Sequence, residues 1–270
     1  MLAETQKKFS LIRAAPSTLG RSSTHCLSTT LRKRRSPAKA ARARNPRALD
    51  AEIFDALVLG ENEDELMRRL GYPGQSPKRP LPDLIKRALR DGRKHLAPKG
   101  AYALYAVEEL TPKRLSLGGV AIAGRVGKFF TGAERIAVFV ATAGASITAE
   151  ARDAAQRGDT VTGFALDALG SYAAEAAADA LMAKIQKHLG PGEGLSLRHS
   201  PGYCSMRLAE QRSIFALVEA GAIGISLLPS MMMSPLKSVS GLVALGPANC
   251  WSKQTSPCAT CGDQGCPARR

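Results

Sequence analysis

The chain has 270 residues, of which 44% are hydrophobic, so it can bury a substantial core in one domain or two small ones. No apolar run approaches the roughly 20 residues of a membrane span, and we expect a soluble protein without a membrane partner. The net charge of +15 suggests nucleic acid, but residues 1–49 carry +11 and leave only +4 for the other 221 residues. The basic character therefore belongs to a tail, and nucleic acid is not expected as a partner.

This N-terminal tail, residues 1–49, is rich in Arg, Ser, Thr and Ala and has no periodic apolar spacing, a pattern that predicts disorder. It lacks the apolar core of a secretory signal. Its composition fits an organellar transit peptide, a bacterial basic extension or a start codon placed too early. The six cysteines are too few and too clustered for a disulfide framework, so we expect a cytoplasmic protein.

The C-terminal tail, residues 248–270, holds most of the cysteines. They are Cys250, Cys258, Cys261 and Cys266. Four thiolates can hold zinc or an iron–sulfur cluster, and the glycines beside the Cys-x-x-Cys pair allow the sharp turns that such ligation needs. The alternative is a set of free thiols.

Between the tails, residues 50–247 predict one domain of the α/β class, α+β in type, with a mixed or largely antiparallel sheet and flanking helices. Predicted helices cover 50–59, 61–70, 82–96, 146–157, 160–189 and 208–220. Predicted strands cover 101–107, 115–122, 136–141 and 242–245. In the helix over 82–96, we expect Leu84, Ile85, Ala88 and Leu89 to face inward.

The long helix over 160–189 carries a polar stripe. Asp167, Ser171, Glu175 and Asp179 recur at four-residue spacing and so share one face. Periodicity alone favours a solvated edge of an amphipathic helix. Alanines dominate the middle of the helix, so a neighbouring backbone or a ligand can approach closely.

A second polar group surrounds a turn at Ser200-Pro201-Gly202-Tyr203, where Pro sets φ and Gly supplies a positive φ. Arg198 precedes the turn, and its guanidinium can clamp a carboxylate in a bidentate pair. Tyr203 offers a stacking face and a hydroxyl.

Further along, two prolines bracket the methionines Met231, Met232 and Met233, so this run cannot extend as a regular helix. The methionines are either plain core or a flexible apolar rim. Ser238 and Ser240 alternate with Val239, which places both hydroxyls on one face of a strand, facing a ligand or bonding to backbone.

Together these residues carry a resemblance. Arg-x-x-x-Gly-Tyr, a helix, and then Ile-Gly-x-x-Leu-x-x-Ser-x-Met-Met-x-Pro-x-x-Ser-Val-Ser-Gly resemble the activation domain of cobalamin-dependent methionine synthase. The chain is more closely similar to free-standing proteins that consist of that domain. The similarity covers roughly residues 50–247. It implies S-adenosylmethionine binding and support for reductive methylation of an oxidised cobalamin, as a component of a methyltransferase in methionine biosynthesis.

The resemblance also implies site residues. Glu175, in Ala174-Glu175-Ala176, corresponds to a ligand-contacting carboxylate for the amino group or sulfonium of S-adenosylmethionine. Arg198 would bind the methionine carboxylate, Tyr203 would line the adenosine side, and Pro201 and Gly202 would shape the turn. The surface that docks on the corrinoid would comprise Met231, Met232, Met233, Ser238, Ser240 and Gly241.

The cobalamin-ligating motif Asp-x-His-x-x-Gly does not occur in the sequence. The resemblance then implies action in trans, on the cobalamin of a separate corrinoid-binding methionine synthase subunit, with a flavodoxin- or ferredoxin-type reductant. After reduction of cob(II)alamin, the sulfonium methyl would pass to cob(I)alamin. The competing hypothesis is an iron–sulfur or other metal-binding electron-transfer protein that reduces a corrinoid partner through the Cys-rich tail. A third is nucleic-acid binding by the N-terminal tail.

Overall fold

The computed structural model describes residues 47–60, 62–72, 81–124, 126–203 and 206–251. Its centre is a five-stranded sheet in the order β1-β2-β6-β10-β7, and all neighbouring strands are antiparallel. The strands are β1 (Asp50–Phe54), β2 (Lys99–Ala106), β6 (Arg135–Thr142), β7 (Glu193–Leu195) and β10 (Ser238–Pro247). The prediction of a largely antiparallel sheet with flanking helices is confirmed.

The central strand β6 is buried on both faces of the sheet. Ile136, Val138 and Val140 enter one core cluster, while Ala137, Phe139 and Ala141 enter another. Successive side chains of a strand point to opposite faces, so a strand covered on both sides needs an unbroken apolar run. This burial on both faces explains why residues 136–141 form an unbroken apolar run in the sequence.

Helices cover one face of the sheet. They are α1 (Glu63–Arg69), α2 (Leu81–Gly92), α4 (Ser146–Gln156) and α5 (Thr160–Ile185). The long helix α5 starts at an N-cap, where the Asp159 carboxylate accepts a hydrogen bond from the Thr162 N–H at 3.1 Å. Hydrogen bonding with Thr162 lowers the pKa of the Asp159 carboxyl group. Ala177, Ala178 and Leu181 pack α5 onto the strands, and the small alanines let the helix lie close to the sheet.

The other face carries the smaller elements. They are the three-stranded sheet of β3 (Glu109–Thr111), β4 (Arg114–Leu117) and β5 (Val120–Ala123), the helices α3 (Val126–Phe129) and α6 (Gln211–Leu217), and the hairpin of β8 (Ser226–Leu227) and β9 (Met233–Ser234). Short 3₁₀ turns follow or join these elements at Arg93–His95, Gln186–His188, Leu208–Glu210, Ala220–Ile223 and Ala248–Cys250.

Several local predictions were wrong. The segment predicted as a helix over 50–59 begins with strand β1, because Ala51 and Ile53 pack against the core while the chain pairs with β2. The single strand over 115–122 is a β-hairpin, because Gly118 and Gly119 both adopt positive φ and reverse the chain.

Two helix details also differ from the prediction. Leu84 does not face inward but is 45% exposed, since the buried side of α2 consists of Ile85, Ala88 and Gly92. The helix predicted over 208–220 is reduced to α6 between two 3₁₀ turns.

Both predicted tails lie mostly outside the described residues, namely 1–46 and 252–270. Where the N-terminal tail joins the domain, the Leu49 N–H donates to the Leu104 carbonyl at 2.7 Å. Where the C-terminal tail leaves the domain, Trp251 is buried in the core. Among the described helices, none combines the length and the apolar character that crossing a membrane requires.

Candidate functional site

The predicted turn at 200–203 is present. The Tyr203 N–H donates to the Ser200 carbonyl at 3.2 Å, and Gly202 has a φ of +93°. Pro at the second position and a positive-φ Gly at the third are typical of a type II turn. Pro201 is buried, whereas Gly202 and Tyr203 are exposed, so the tip of the turn faces solvent.

This turn lies against strand β10. His199 and Leu242 exchange two backbone hydrogen bonds, at 2.9 and 2.8 Å. Gly241 permits the close approach, because a Cβ there would lie 2.8 Å from the His199 carbonyl oxygen and 2.9 Å from Ser200 Oγ. Gly241, predicted as part of a docking surface, is buried beneath the turn.

Arg198 reaches from the turn to helix α5. Its Nη2 lies 2.8 Å from Asp179 Oδ1 and 3.2 Å from Glu175 Oε2. The two carboxylates are four residues apart on one helix face, so a single guanidinium spans them. Arg198 Nη1 is buried and has no hydrogen-bond partner among the described residues. The structure thus brings Arg198 and Glu175 together, as a shared ligand site requires.

Asp179 is a member of this group that the sequence reasoning did not assign to the site. The signal was available, because Asp179 extends the polar stripe of α5 by one turn beyond Glu175. A stripe at four-residue spacing is more typical of a solvated helix edge, and the sequence does not show that Arg198 packs against it.

The other half of the polar stripe contacts a second cationic side chain, Lys237, which the sequence analysis also did not assign. Lys237 Nζ lies 2.7 Å from Asp167 Oδ1 and 2.8 Å from Ser171 Oγ, and its side chain is only 11% exposed. Lys237 immediately precedes the Ser-Val-Ser-Gly motif. The polar stripe is therefore a contact surface for cations from two motif segments.

Next to this surface, the β8–β9 hairpin presents apolar side chains to solvent. Met232 is 49% exposed, Leu228 42% and Leu236 52%. Met233 instead packs against the core, and Met231 is half-buried with a φ of +67°. Of the three predicted methionines, Met232 is thus the most accessible, and two exposed leucines extend the surface that it forms.

The two serines of the motif make hydrogen bonds within the domain. Ser240 is buried, and its hydroxyl donates to Gln211 Oε1 at 2.6 Å. Ser238 Oγ lies 2.7 Å from the Pro235 carbonyl oxygen and 2.9 Å from Thr142 Oγ1. Both hydroxyls hold β10 and the loop before it in place.

His199, to which the sequence analysis assigns no role, is buried at 2% exposure. Its ring stacks on Phe129 with 4.6 Å between centroids, and Nε2 has no hydrogen-bond partner among the described residues. Burial lowers the pKa of His199 to about 4, so the imidazole is neutral at physiological pH.

Of the metal ligands predicted in the C-terminal tail, Cys258, Cys261 and Cys266 lie outside the described residues. Cys250 is exposed and has a free thiol. The assignment of these cysteines to zinc or an iron–sulfur cluster stays a prediction.

Part of the chain matches a known protein family. Residues 126–251 match the family model described as "Vitamin B12 dependent methionine synthase, activation domain". The chain resembles this activation domain. The match includes Glu175, Arg198 and the whole stretch from the turn to β10.

The fold of this chain is also found in a solved structure. The crystal structure of the MetH reactivation domain bound to AdoHcy aligns with this chain with a TM-score of 0.57 at 20% identity. The alignment covers 76% of this chain and 81% of that chain, and at this identity it establishes the common fold. A comparison with curated proteins gives no match.

Proposed function

We propose that this chain is a reactivation module that binds S-adenosylmethionine and supports reductive methylation of the cobalamin on a separate corrinoid-binding methionine synthase subunit. The family match supports a reactivation-type role. The observation that carries the proposal is the group formed by Arg198, Glu175 and Asp179, because it has the charges that an amino-acid zwitterion needs.

The methionyl end of S-adenosylmethionine carries a carboxylate and an ammonium group, and the sulfonium adds a further positive charge. Arg198 provides donors for the carboxylate, including Nη1, which is buried and lacks a partner in the described structure. Glu175 and Asp179 provide acceptors for the ammonium group. On ligand binding, the carboxylates would exchange part of their contact with Arg198 for contact with the ammonium.

The protein's part in the reaction is placement. The partner's reduced cobalamin supplies the nucleophile for the sulfonium methyl, so no side chain of this chain needs to act as an acid or a base. Arg198 and the acidic pair orient the ligand, and the turn at 200–203 with the exposed Tyr203 ring lines its adenosine side. The apolar surface of Leu228, Met232 and Leu236 would contact the corrinoid partner.

Calorimetry with S-adenosylmethionine tests the binding step. Arg198→Ala should weaken binding by about 1.5–3 kcal/mol, the usual contribution of hydrogen bonds to charged groups. Arg87→Ala, on the exposed side of α2, is the matched control and should leave affinity unchanged. Equal affinity of the Arg198→Ala protein and the wild type would remove Arg198 from the site.

The in-trans step is tested by mixing the full chain with a corrinoid protein in the cob(II)alamin state, a low-potential reductant and S-adenosylmethionine. Methylcobalamin should form only when the chain is present. Without the partner, the chain should retain no cobalamin through gel filtration. Tight retention by the isolated chain would contradict action in trans.

A further inference from the structure

A second group of polar side chains lies at the edge strand β1, apart from the Arg198 site. Asp50 and Glu52 of β1 meet His188, which ends the 3₁₀ turn after helix α5. Glu175 is more than three helical turns back along α5, so about 20 Å separates the two places. The group is therefore independent of the proposed S-adenosylmethionine site.

The three side chains offer ligand atoms at spacings that suit one metal ion. His188 Nε2 lies 3.7 Å from Asp50 Oδ2 and 3.8 Å from Glu52 Oε1, and the three ligand atoms are within 4.8 Å of one another. Around a tetrahedral ion with bonds of about 2.0–2.1 Å, ligand atoms are about 3.4 Å apart. Small side-chain rotations would bring these atoms to that spacing.

The fold holds the ligands near this arrangement. Asp50 and Glu52 are two residues apart on a strand, so their side chains leave the same face of the sheet. The carbonyl of His188 accepts a hydrogen bond from Arg135 Nη1 at 3.0 Å, which fixes the backbone of the third ligand. His188 also follows the C-terminal end of α5 by three residues, and the partial negative charge of a helix C-terminus favours a cation nearby.

Tyr102 completes the surroundings from below. It is buried at 1% exposure, and its hydroxyl lies 2.6 Å from Glu52 Oε1 and 2.5 Å from His188 Nε2. In the metal-free protein this phenol bridges the two ligands. With an ion bound to His188 Nε2, the hydroxyl would still donate to Glu52 and orient its carboxylate, the usual task of a residue behind a metal ligand.

We propose that Asp50, Glu52 and His188 bind one divalent transition-metal ion, for which zinc is the best fit. One imidazole nitrogen and two carboxylate oxygens suit zinc better than calcium or magnesium, which prefer oxygen ligands alone. The side chains of His188, Asp50 and Glu52 are 22%, 42% and 47% exposed, which leaves room for a water molecule as a fourth ligand. The ion would cross-link the edge strand to the end of α5.

The test is a zinc titration by calorimetry at pH 7.5. It uses the full chain with Cys250, Cys258, Cys261 and Cys266 replaced by Ser, so that these thiolates cannot bind the ion. This protein should bind one zinc ion per chain, and zinc should raise its melting temperature. His188→Asn in the same background should weaken binding at least tenfold, since losing even an outer partner of a metal ligand costs about 10–100-fold.

His95→Asn is the matched control, because His95 Nε2 also lies near a carboxylate, that of Glu150 at 4.0 Å, but forms no group with a second acid among the described residues. It should bind zinc as the parent does. Asp50→Asn provides the same test as His188→Asn if the latter fails to fold. Absence of zinc binding by the parent, or equal affinity in the ligand variants, would overturn the proposal and leave a hydrogen-bonded contact through Tyr102.

Discussion

At the scale of single residues, Arg198 shows how a side chain acquires a role from its neighbours. In sequence it is one arginine before a turn. In the fold, Glu175 and Asp179 hold one of its nitrogens, while Nη1 is buried without a partner in the described structure. An unsatisfied buried donor costs free energy, and under the proposed function the carboxylate of S-adenosylmethionine would pair with it.

Gly241→Ala tests the close approach of the turn to β10. The added Cβ would lie 2.8 Å from the His199 carbonyl oxygen, so the turn must shift. We expect a loss of about 1–3 kcal/mol in the free energy of unfolding, as for other overpacked sites, together with weaker S-adenosylmethionine binding. Urea denaturation and calorimetry measure the two effects. Gly221→Ala, where a Cβ would have no atom within 4 Å, should change neither, and an unaffected Gly241→Ala protein would contradict the contact.

His199 predicts a pH dependence of stability. Its pKa is about 4 in the fold and about 6.5 in the unfolded chain, so between these values only the unfolded state binds the proton. The free energy of unfolding is therefore highest above pH 6.5, and it decreases as the pH falls from 6.5 to 4. The loss is about 3 kcal/mol over this window.

Denaturant unfolding at pH 7 and pH 4.5 measures this effect by comparing the wild type with His199→Phe. The variant keeps the stacking on Phe129 but has no titrating group. The carboxylates titrate in both proteins, so the difference between their two pH dependences isolates the contribution of the His199 imidazole. An identical pH dependence in both proteins would show that His199 is not buried in its neutral form.

At the scale of elements, we expect that a change in the β8–β9 hairpin affects docking on the corrinoid partner without affecting S-adenosylmethionine binding. We expect Met232→Asp to slow methyl transfer to the corrinoid partner severalfold, because a charge would interrupt an exposed apolar surface. S-adenosylmethionine affinity should stay within twofold. Leu84→Asp on α2 is the control, since Leu84 is 45% exposed, close to the 49% of Met232. Equal transfer rates for Met232→Asp and the control would exclude the hairpin from the docking surface.

The helix α5 connects the parts of the molecule. Its alanines pack on the sheet, its polar stripe binds Arg198 and Lys237, and its C-terminal end places His188 beside β1. A single long helix can serve all three because it spans about 1.5 Å per residue over 26 residues. Its N-cap at Asp159 fixes where this span begins.

At the scale of the whole molecule, the charge distribution predicts that the N-terminal segment is dispensable. Deleting residues 1–46, which have no apolar periodicity, should leave the melting temperature and S-adenosylmethionine affinity unchanged. The deletion stops before Leu49, whose N–H bonds to β2. Differential scanning calorimetry checks the result. A decrease of several degrees would mean that the segment stabilises the domain.

The sequence by itself determined the elements whose signals are local. The apolar run of β6, the long helix α5 and the Pro-Gly turn at 200–203 follow from period, length and turn chemistry, and all three are present. The motif from Arg198 to Gly241 likewise carried the resemblance to the activation domain.

Only the tertiary structure decided the remaining features. Residues 50–54 form a strand because β2 lies beside them, and this neighbour is about 50 residues away in the chain. Asp179 and Lys237 joined the polar surface of α5, and His188 joined Asp50 and Glu52, through contacts between segments far apart in sequence. Local propensity and spacing describe a residue's own segment, whereas these contacts depend on which faces pack together to bury the core.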